Sequence, residues 1–156
     1  MLCVKHQVKL AFLSPSGRYI GSLEGEVKGN VLLRRTQYRL ADDEPLATHL
    51  ASIFIAGKIA NQRSVLARYV RDYHPEGEAK ELFREALAQL RRQQMLALKQ
   101  ASRKDLLGVE GFAASTYFSL FSQLIRSAEF PFAGRSKRPP KDEVNALLSF
   151  FYTLLA

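Results

Sequence analysis

A chain of 156 residues has room for one domain and at most a small appendage. A hydrophobic fraction of 47% excludes wholesale disorder, and the single cysteine, Cys3, excludes an intrachain disulfide and fits a reducing, cytosolic setting. With 23 Lys and Arg against 15 Asp and Glu, the net charge of +8 favours a polyanionic partner through counterion release, without identifying one.

The first residues lack the charged n-region and longer apolar h-region of a signal peptide. No uncharged run reaches the roughly 18 residues of a membrane span, so a soluble protein is expected. Val8 to Leu13 is a short apolar run, and Arg18 to Glu24 alternates loosely. Ser14-Pro15-Ser16-Gly17 between them reads as a hairpin turn. From Asn30, a plausible N-cap, the pattern turns helical as far as about Leu40. Asp42 and Asp43 before Pro45 open a long helix to about Tyr73. Leu46, Leu50, Ile53, Phe54, Gly57, Leu66, Tyr69 and Val70 are its expected apolar face. After His74-Pro75-Glu76-Gly77 a third helix follows, acidic at Glu78 and Glu81 and basic toward Lys99, which matches the helix dipole. Its apolar face is Leu82, Phe83, Ala86, Leu87, Leu90 and Ala97. A fourth helical segment is expected from Asp105 to about Arg126, then a basic loop, then a last helix from near Asp142. Val144 to Ala156 is apolar nearly all round and is expected to be buried on all sides; its abrupt end suggests a chain cut short.

Glu110 is the first candidate for chemistry. At helical spacing it shares a face with Leu106, Ala113, Ala114, Tyr117, Phe121 and Leu124. A carboxylate on such a stripe needs a cation, either a metal or an Arg or Lys from elsewhere. Arg135-Ser136-Lys137-Arg138-Pro139-Pro140-Lys141 places four cations in seven residues and suits either phosphate contacts or plain solvation. Lys58 and Gln62 share a face of the long helix, next to Arg63. Asn61 falls near the apolar side, where a core role is favoured over a substrate role. Cys3 and His6 lack the second pair a zinc site requires. His49 reads as a helix-face residue and His74 as a helix-end residue. No nucleophile elbow and no glycine-rich phosphate loop occurs.

Three stretches together go further. The first is Leu10-Ala11-Phe12-Leu13-Ser14-Pro15-Ser16-Gly17-Arg18 running into Gly29-Asn30-Val31-Leu32-Leu33-Arg34-Arg35-Thr36-Gln37-Tyr38. The second is Gly57-Lys58-Ile59-Ala60-Asn61-Gln62-Arg63. The third is Leu107-Gly108-Val109-Glu110-Gly111 with Tyr117-Phe118, then Arg138-Pro139-Pro140, Asp142, Asn145 and Leu147-Leu148-Ser149-Phe150. In this order they resemble the CRISPR-associated integrase-nuclease (Cas-one) family of prokaryotes, which inserts spacers into CRISPR arrays.

The resemblance implies a mainly α fold. Residues 1–28 would be the hairpin remnant of an N-terminal β domain, and residues 29–156 an α-helical catalytic domain shortened at its C-terminal end. It implies a metal-dependent DNA endonuclease and integrase of antiviral defence, cytoplasmic, using magnesium or manganese. Glu110 matches the family's first metal-ligand glutamate. The histidine and further acidic ligand that would complete the site are expected beyond this chain, since His6, His49 and His74 all precede Glu110. Phe151 stands where the pattern has glycine. Lys58, Arg63, Arg135, Lys137 and Arg138 become the expected DNA contacts. The implied partners are DNA, a second copy in a homodimer, and the small ferredoxin-fold (Cas-two) subunit. Two other readings stay open: a non-catalytic basic helical DNA-binding module, and a residual fragment that aggregates through its last helix.

Overall fold

Side-chain caps open several of the helices. The computed structural model describes residues 2–15, 17–25 and 29–155. Ser16 of the expected turn, residues 26–28 at the expected domain boundary and Ala156 at the end of the last helix therefore lie outside the described residues. In chain order the elements are α1 (Leu2–Lys5), β1 (Leu10–Leu13), β2 (Tyr19–Leu23), α2 (Val31–Asp42), α3 (Glu44–Tyr73), α4 (Gly77–Ala97), α5 (Arg103–Ser119), α6 (Phe121–Leu124) and α7 (Glu143–Leu155). The fold is mainly α with a two-stranded hairpin near its start, as the sequence implies.

Asn30 Oδ1 accepts the Leu33 N–H at 3.1 Å and opens α2. Asp43 Oδ1 accepts the Leu46 N–H at 3.0 Å and opens α3, with Pro45 in the first turn, where its missing N–H is no loss. His74 ends α3 in the left-handed conformation with φ 47°. The Ser102 hydroxyl caps α5 by accepting the Asp105 N–H at 3.1 Å.

The chain divides into two compact units, one of Thr36–Arg135 and one of Met1–Arg35 with Ser136–Ala156. The core of the first joins Ala56, Ile59 and Leu66 of α3, Phe83, Ala86, Leu90 and Ala97 of α4, and Leu106, Val109 and Ala113 of α5, with Leu120. These are i, i+3, i+4 and i+7 steps, so each helix turns one stripe inward. Tyr69 stacks on Phe83 with ring centroids 5.0 Å apart.

The inward stripe of α3 differs from the expected one in its first half. Thr48, Ser52, Ala56 and Ile59 are buried, whereas Leu46, Leu50, Ile53 and Phe54 are exposed. Small residues line the packed side. The Ser52 hydroxyl donates to the His49 carbonyl at 2.7 Å, so its burial leaves no donor unmet. Asn61, expected near the core, is exposed.

The expected segment from Asp105 to Arg126 is two helices. Leu120 leaves α5 at φ −100°, ψ 0°, and the next turn sets the Phe121 ring 5.0 Å from Phe132. Phe132, from the following loop, is buried. Aromatic packing here replaces continuation of the helix.

In the second unit β1 and β2 pair antiparallel, Leu10 opposite Leu23 and Phe12 opposite Gly21. Gly17, at φ +79°, supplies a turn conformation that a side chain would strain. Lys9 and Glu24 form an ion pair of 2.5 Å at the open end of the hairpin. Helix α7 corrects the expectation of burial all round: only Asn145 is buried, while Leu147, Phe150, Phe151, Tyr152, Leu154 and Leu155 are exposed. Helical pattern alone identifies an apolar helix and not what covers it; Val144, Leu148 and Ser149 are half-buried.

Leu66→Ala, which empties a fully buried site, is expected to cost about 2–5 kcal/mol in urea unfolding. Asp43→Ala, which removes a cap, should cost about 1 kcal/mol. The Lys9 ammonium, through its hydrogen bond, holds Glu24 below the ordinary 4.5. Glu24 in turn raises Lys9 above 10.5. The Glu24 contribution is present above 4.5 and fades as pH falls through its lowered value; the Lys9 contribution is present below 10.5 and fades above it. Hairpin chemical shifts should therefore be steady across neutral pH and move at both extremes, and the acid-side movement of Lys9 should vanish in Glu24→Gln.

Candidate functional site

Glu110 sits one turn beyond Leu106 and one turn before Ala113 and Ala114 on α5, beside buried Val109. The cation it requires comes from α3: Lys58 Nζ donates to Glu110 Oε1. The side chains of Lys58 and Glu110 are 44% and 27% exposed, so the pair lies at the rim of the core rather than within it. Gly57, Gly108 and Gly111 around it leave open space where a Cβ would stand.

Two further contacts flank this pair, one from the start of α5 and one from the segment after α6. Arg103 pairs with Glu44 at 2.5 Å. The Arg126 guanidinium lies over the Tyr73 ring, 4.8 Å from its centroid. The partners follow in the same order along both segments, so α3 and α5 run in the same direction, with Lys58 and Glu110 between the other two contacts.

One turn after Lys58, Gln62 Oε1 and Arg63 Nε are buried and have no hydrogen-bond partner among the described residues. Arg63 is half-buried and Lys58 is held by Glu110, so neither is a freely solvated cation. Lys137 and Arg138 are exposed, and Arg135 is half-buried.

The loop that carries Lys137 and Arg138 is tied down by Asn145. This side chain is fully buried. Its Oδ1 accepts the Ser136 N–H at 2.8 Å, and its Nδ2 donates to Asp142 Oδ2 at 2.6 Å. Asp142 Oδ1 accepts the Asn145 N–H at 2.7 Å. The Ser136 hydroxyl accepts the Lys141 N–H at 2.9 Å. Both ends of the Ser136–Lys141 segment are thus fastened while its cations face outward. Sequence reasoning found Asp142 as a helix start and missed the work of Asn145. The usable signal was an Asx residue three positions after a capping Asp, on a helix otherwise apolar.

As a metal site the arrangement is incomplete. Glu110 offers one carboxylate, and an ammonium already engages its Oε1. Among the described residues no three His, Cys, Asp or Glu side chains gather. A hard divalent ion takes six or more oxygen ligands. The residues present do not fit such an ion by themselves.

Fold and site define a mainly helical chain, one unit organised around a paired carboxylate and the other carrying a fastened basic loop. A family model described as CRISPR associated protein Cas1 matches residues 1–156. A CRISPR-associated endonuclease Cas1 of Chlorobaculum tepidum is 45% identical over 161 residues, covering 98% of this chain and 45% of that relative. One from Rhodospirillum rubrum is 46% identical over 158 residues, with the same shares covered. Among solved structures, a chain of a Cas6-RT-Cas1–Cas2 complex superposes with a TM-score of 0.72 at 29% identity, over 98% of this chain and 16% of that one. A CAS1 protein from Thermotoga maritima superposes at 0.71 and 21% identity, over 99% and 46%, a likeness of fold alone. This chain belongs to the CRISPR associated protein Cas1 family. It spans about half the length of these curated relatives.

Gln62→Met replaces a buried, unmet acceptor with an apolar group of similar length. It is expected to raise stability by up to about 1 kcal/mol, read as a higher urea midpoint at unchanged slope. A lower midpoint would show that Gln62 has a partner.

Proposed function

We propose that this chain supplies part of a DNA endonuclease and integrase of CRISPR spacer acquisition: one acidic metal ligand, Glu110, and a basic surface for DNA phosphates. The observation that carries the reading is the position of Glu110. It is a carboxylate held at the rim of a helical core, between glycines that leave room for a ligand. It also matches the family's first ligand glutamate by resemblance. The names of the curated relatives, CRISPR-associated endonucleases, support the class of reaction.

The divalent ion, magnesium or manganese, would supply Lewis acidity in phosphoryl transfer. Its remaining ligands would be a histidine and an acidic residue, as the resemblance implies. Within the chain, Lys58 holds Glu110 in place, and Lys137 and Arg138, with Arg63 and Arg135 behind them in exposure, offer charge to the DNA backbone. Residues 1–28 belong, on this reading, to an N-terminal β domain and residues 29–156 to the helical catalytic domain, working in the cytoplasm. A homodimer bridged by a small ferredoxin-fold Cas2-type subunit is the proposed assembly; the Cas2 named in the solved complexes supports the partner. A second reading, a basic DNA-binding module without catalysis, is favoured by one observation: Lys58 already satisfies Glu110.

Purified chain is expected to leave a branched DNA duplex uncut in manganese, both as wild type and as Glu110→Ala. Metal-dependent cleavage lost in Glu110→Ala would contradict an incomplete site. Both proteins should bind the duplex with equal affinity. Lys137→Ala and Arg138→Ala should each flatten the slope of log affinity against log salt by about 1. An unchanged slope in both would remove the loop from the DNA surface.

A further inference from the structure

Four cations in a seven-residue loop gain little for binding if each must be ordered anew. Fixing a residue's backbone costs conformational entropy, a cost that binding meets unless the folded chain has met it first. Residues 136–141 meet it in advance. Asn145 is fully buried, and both ends of its amide are used, Oδ1 by the Ser136 N–H and Nδ2 by Asp142. Asp142 serves twice, as the acceptor of the Asn145 N–H and of its side chain. The Ser136 hydroxyl closes the loop onto the Lys141 N–H. A buried amide bonded at both ends, with its backbone N–H bonded as well, is costly to form wrongly and defines one loop shape. Lys137 and Arg138 lie on the outward arc between these fastenings and are exposed.

We propose that Asn145 and Asp142 are a positioning pair that pre-shapes the Ser136–Lys141 loop as a rigid clamp for the phosphates of a DNA backbone. Neither residue touches DNA; the phosphate contacts are those of Lys137 and Arg138. The inference rests on the reading of the loop as part of a DNA surface. It goes further by placing affinity in two residues that carry no positive charge.

The test is fluorescence anisotropy of a labelled DNA duplex against the full chain over a salt series. Asn145→Ala is expected to weaken binding about tenfold and to flatten the salt slope by about 2, the share of two phosphate contacts. Adding Lys137→Ala and Arg138→Ala in that background should change little further, because the cations are already misplaced. Circular dichroism should show the α3–α4–α5 core still melting cooperatively.

The exchanged variant Asp142→Asn/Asn145→Asp keeps composition and net charge. It can remake these three bonds: the new amide at 142 accepts the 145 N–H and donates to the new carboxylate, which still accepts from Ser136. It is expected to bind within about twofold of wild type, a rescue that general loosening would not give. Wild-type affinity and slope in folded Asn145→Ala would overturn the proposal, as would an exchanged variant as weak as Asn145→Ala. If Lys137→Ala and Arg138→Ala alone leave binding unchanged, the DNA reading of the loop fails instead, and the clamp fails with it.

Discussion

A carboxylate on the apolar face of a helix must find a cation, and the arrangement of α3 against α5 answers to that requirement. Glu110 lies in line with Leu106 and Ala113, both buried. At the rim of the core, only partly exposed, an unpaired carboxylate would lose part of its hydration. Lys58 reaches it from α3. Thr48, Ser52 and Ala56 line the buried side of α3, and Arg103–Glu44 and Arg126 over Tyr73 mark the two ends of the same pair of segments. Register along both is thereby set at three points, with the candidate carboxylate in the middle.

That pairing also shapes the functional reading. An ammonium on one carboxylate oxygen is a complete structural answer and an incomplete catalytic one. A divalent ion would need more oxygen or nitrogen donors than the described residues assemble, which agrees with a chain spanning about half of its curated relatives. The proposed division of labour follows: Glu110 awaits ligands from elsewhere, while the loop of residues 136–141 is already shaped by its own hydrogen bonds. On α7, Phe150 and Leu154 are exposed.

Much of the fold was legible because caps and breakers are local. Asp43 with Pro45, Asn30, and the His74-Pro75-Glu76-Gly77 break each act through one or two hydrogen bonds or a fixed φ, so the residues themselves carry the information. The stripe of α4 was legible for a similar reason, since Phe83, Ala86, Leu90 and Ala97 stand at clean helical spacing. What failed was tertiary. On α3 the larger residues Leu46, Leu50 and Phe54 outweigh Thr48 and Ser52 in any count of hydrophobicity, yet close helix packing selected the small ones. The break at Leu120 depends on Phe132, which arrives from a separate loop. In the candidate site, the need of Glu110 for a cation was readable from spacing, whereas Lys58 as its partner was not, because the two are 52 positions apart. Asn145 was invisible as a positioning residue since its meaning lies in the loop it fastens.

The most direct test of this account exchanges the two charges. Lys58→Glu alone sets two carboxylates against each other, and Glu110→Lys alone does the same with two ammonium groups. Each single reversal should lower the thermal midpoint by several degrees, as expected for a loss of about 1 kcal/mol or more in a unit of roughly 100 residues. The double variant Lys58→Glu/Glu110→Lys should recover most of that loss. A double variant no more stable than the worse single one would contradict the pairing on which the site and the α3–α5 register are built.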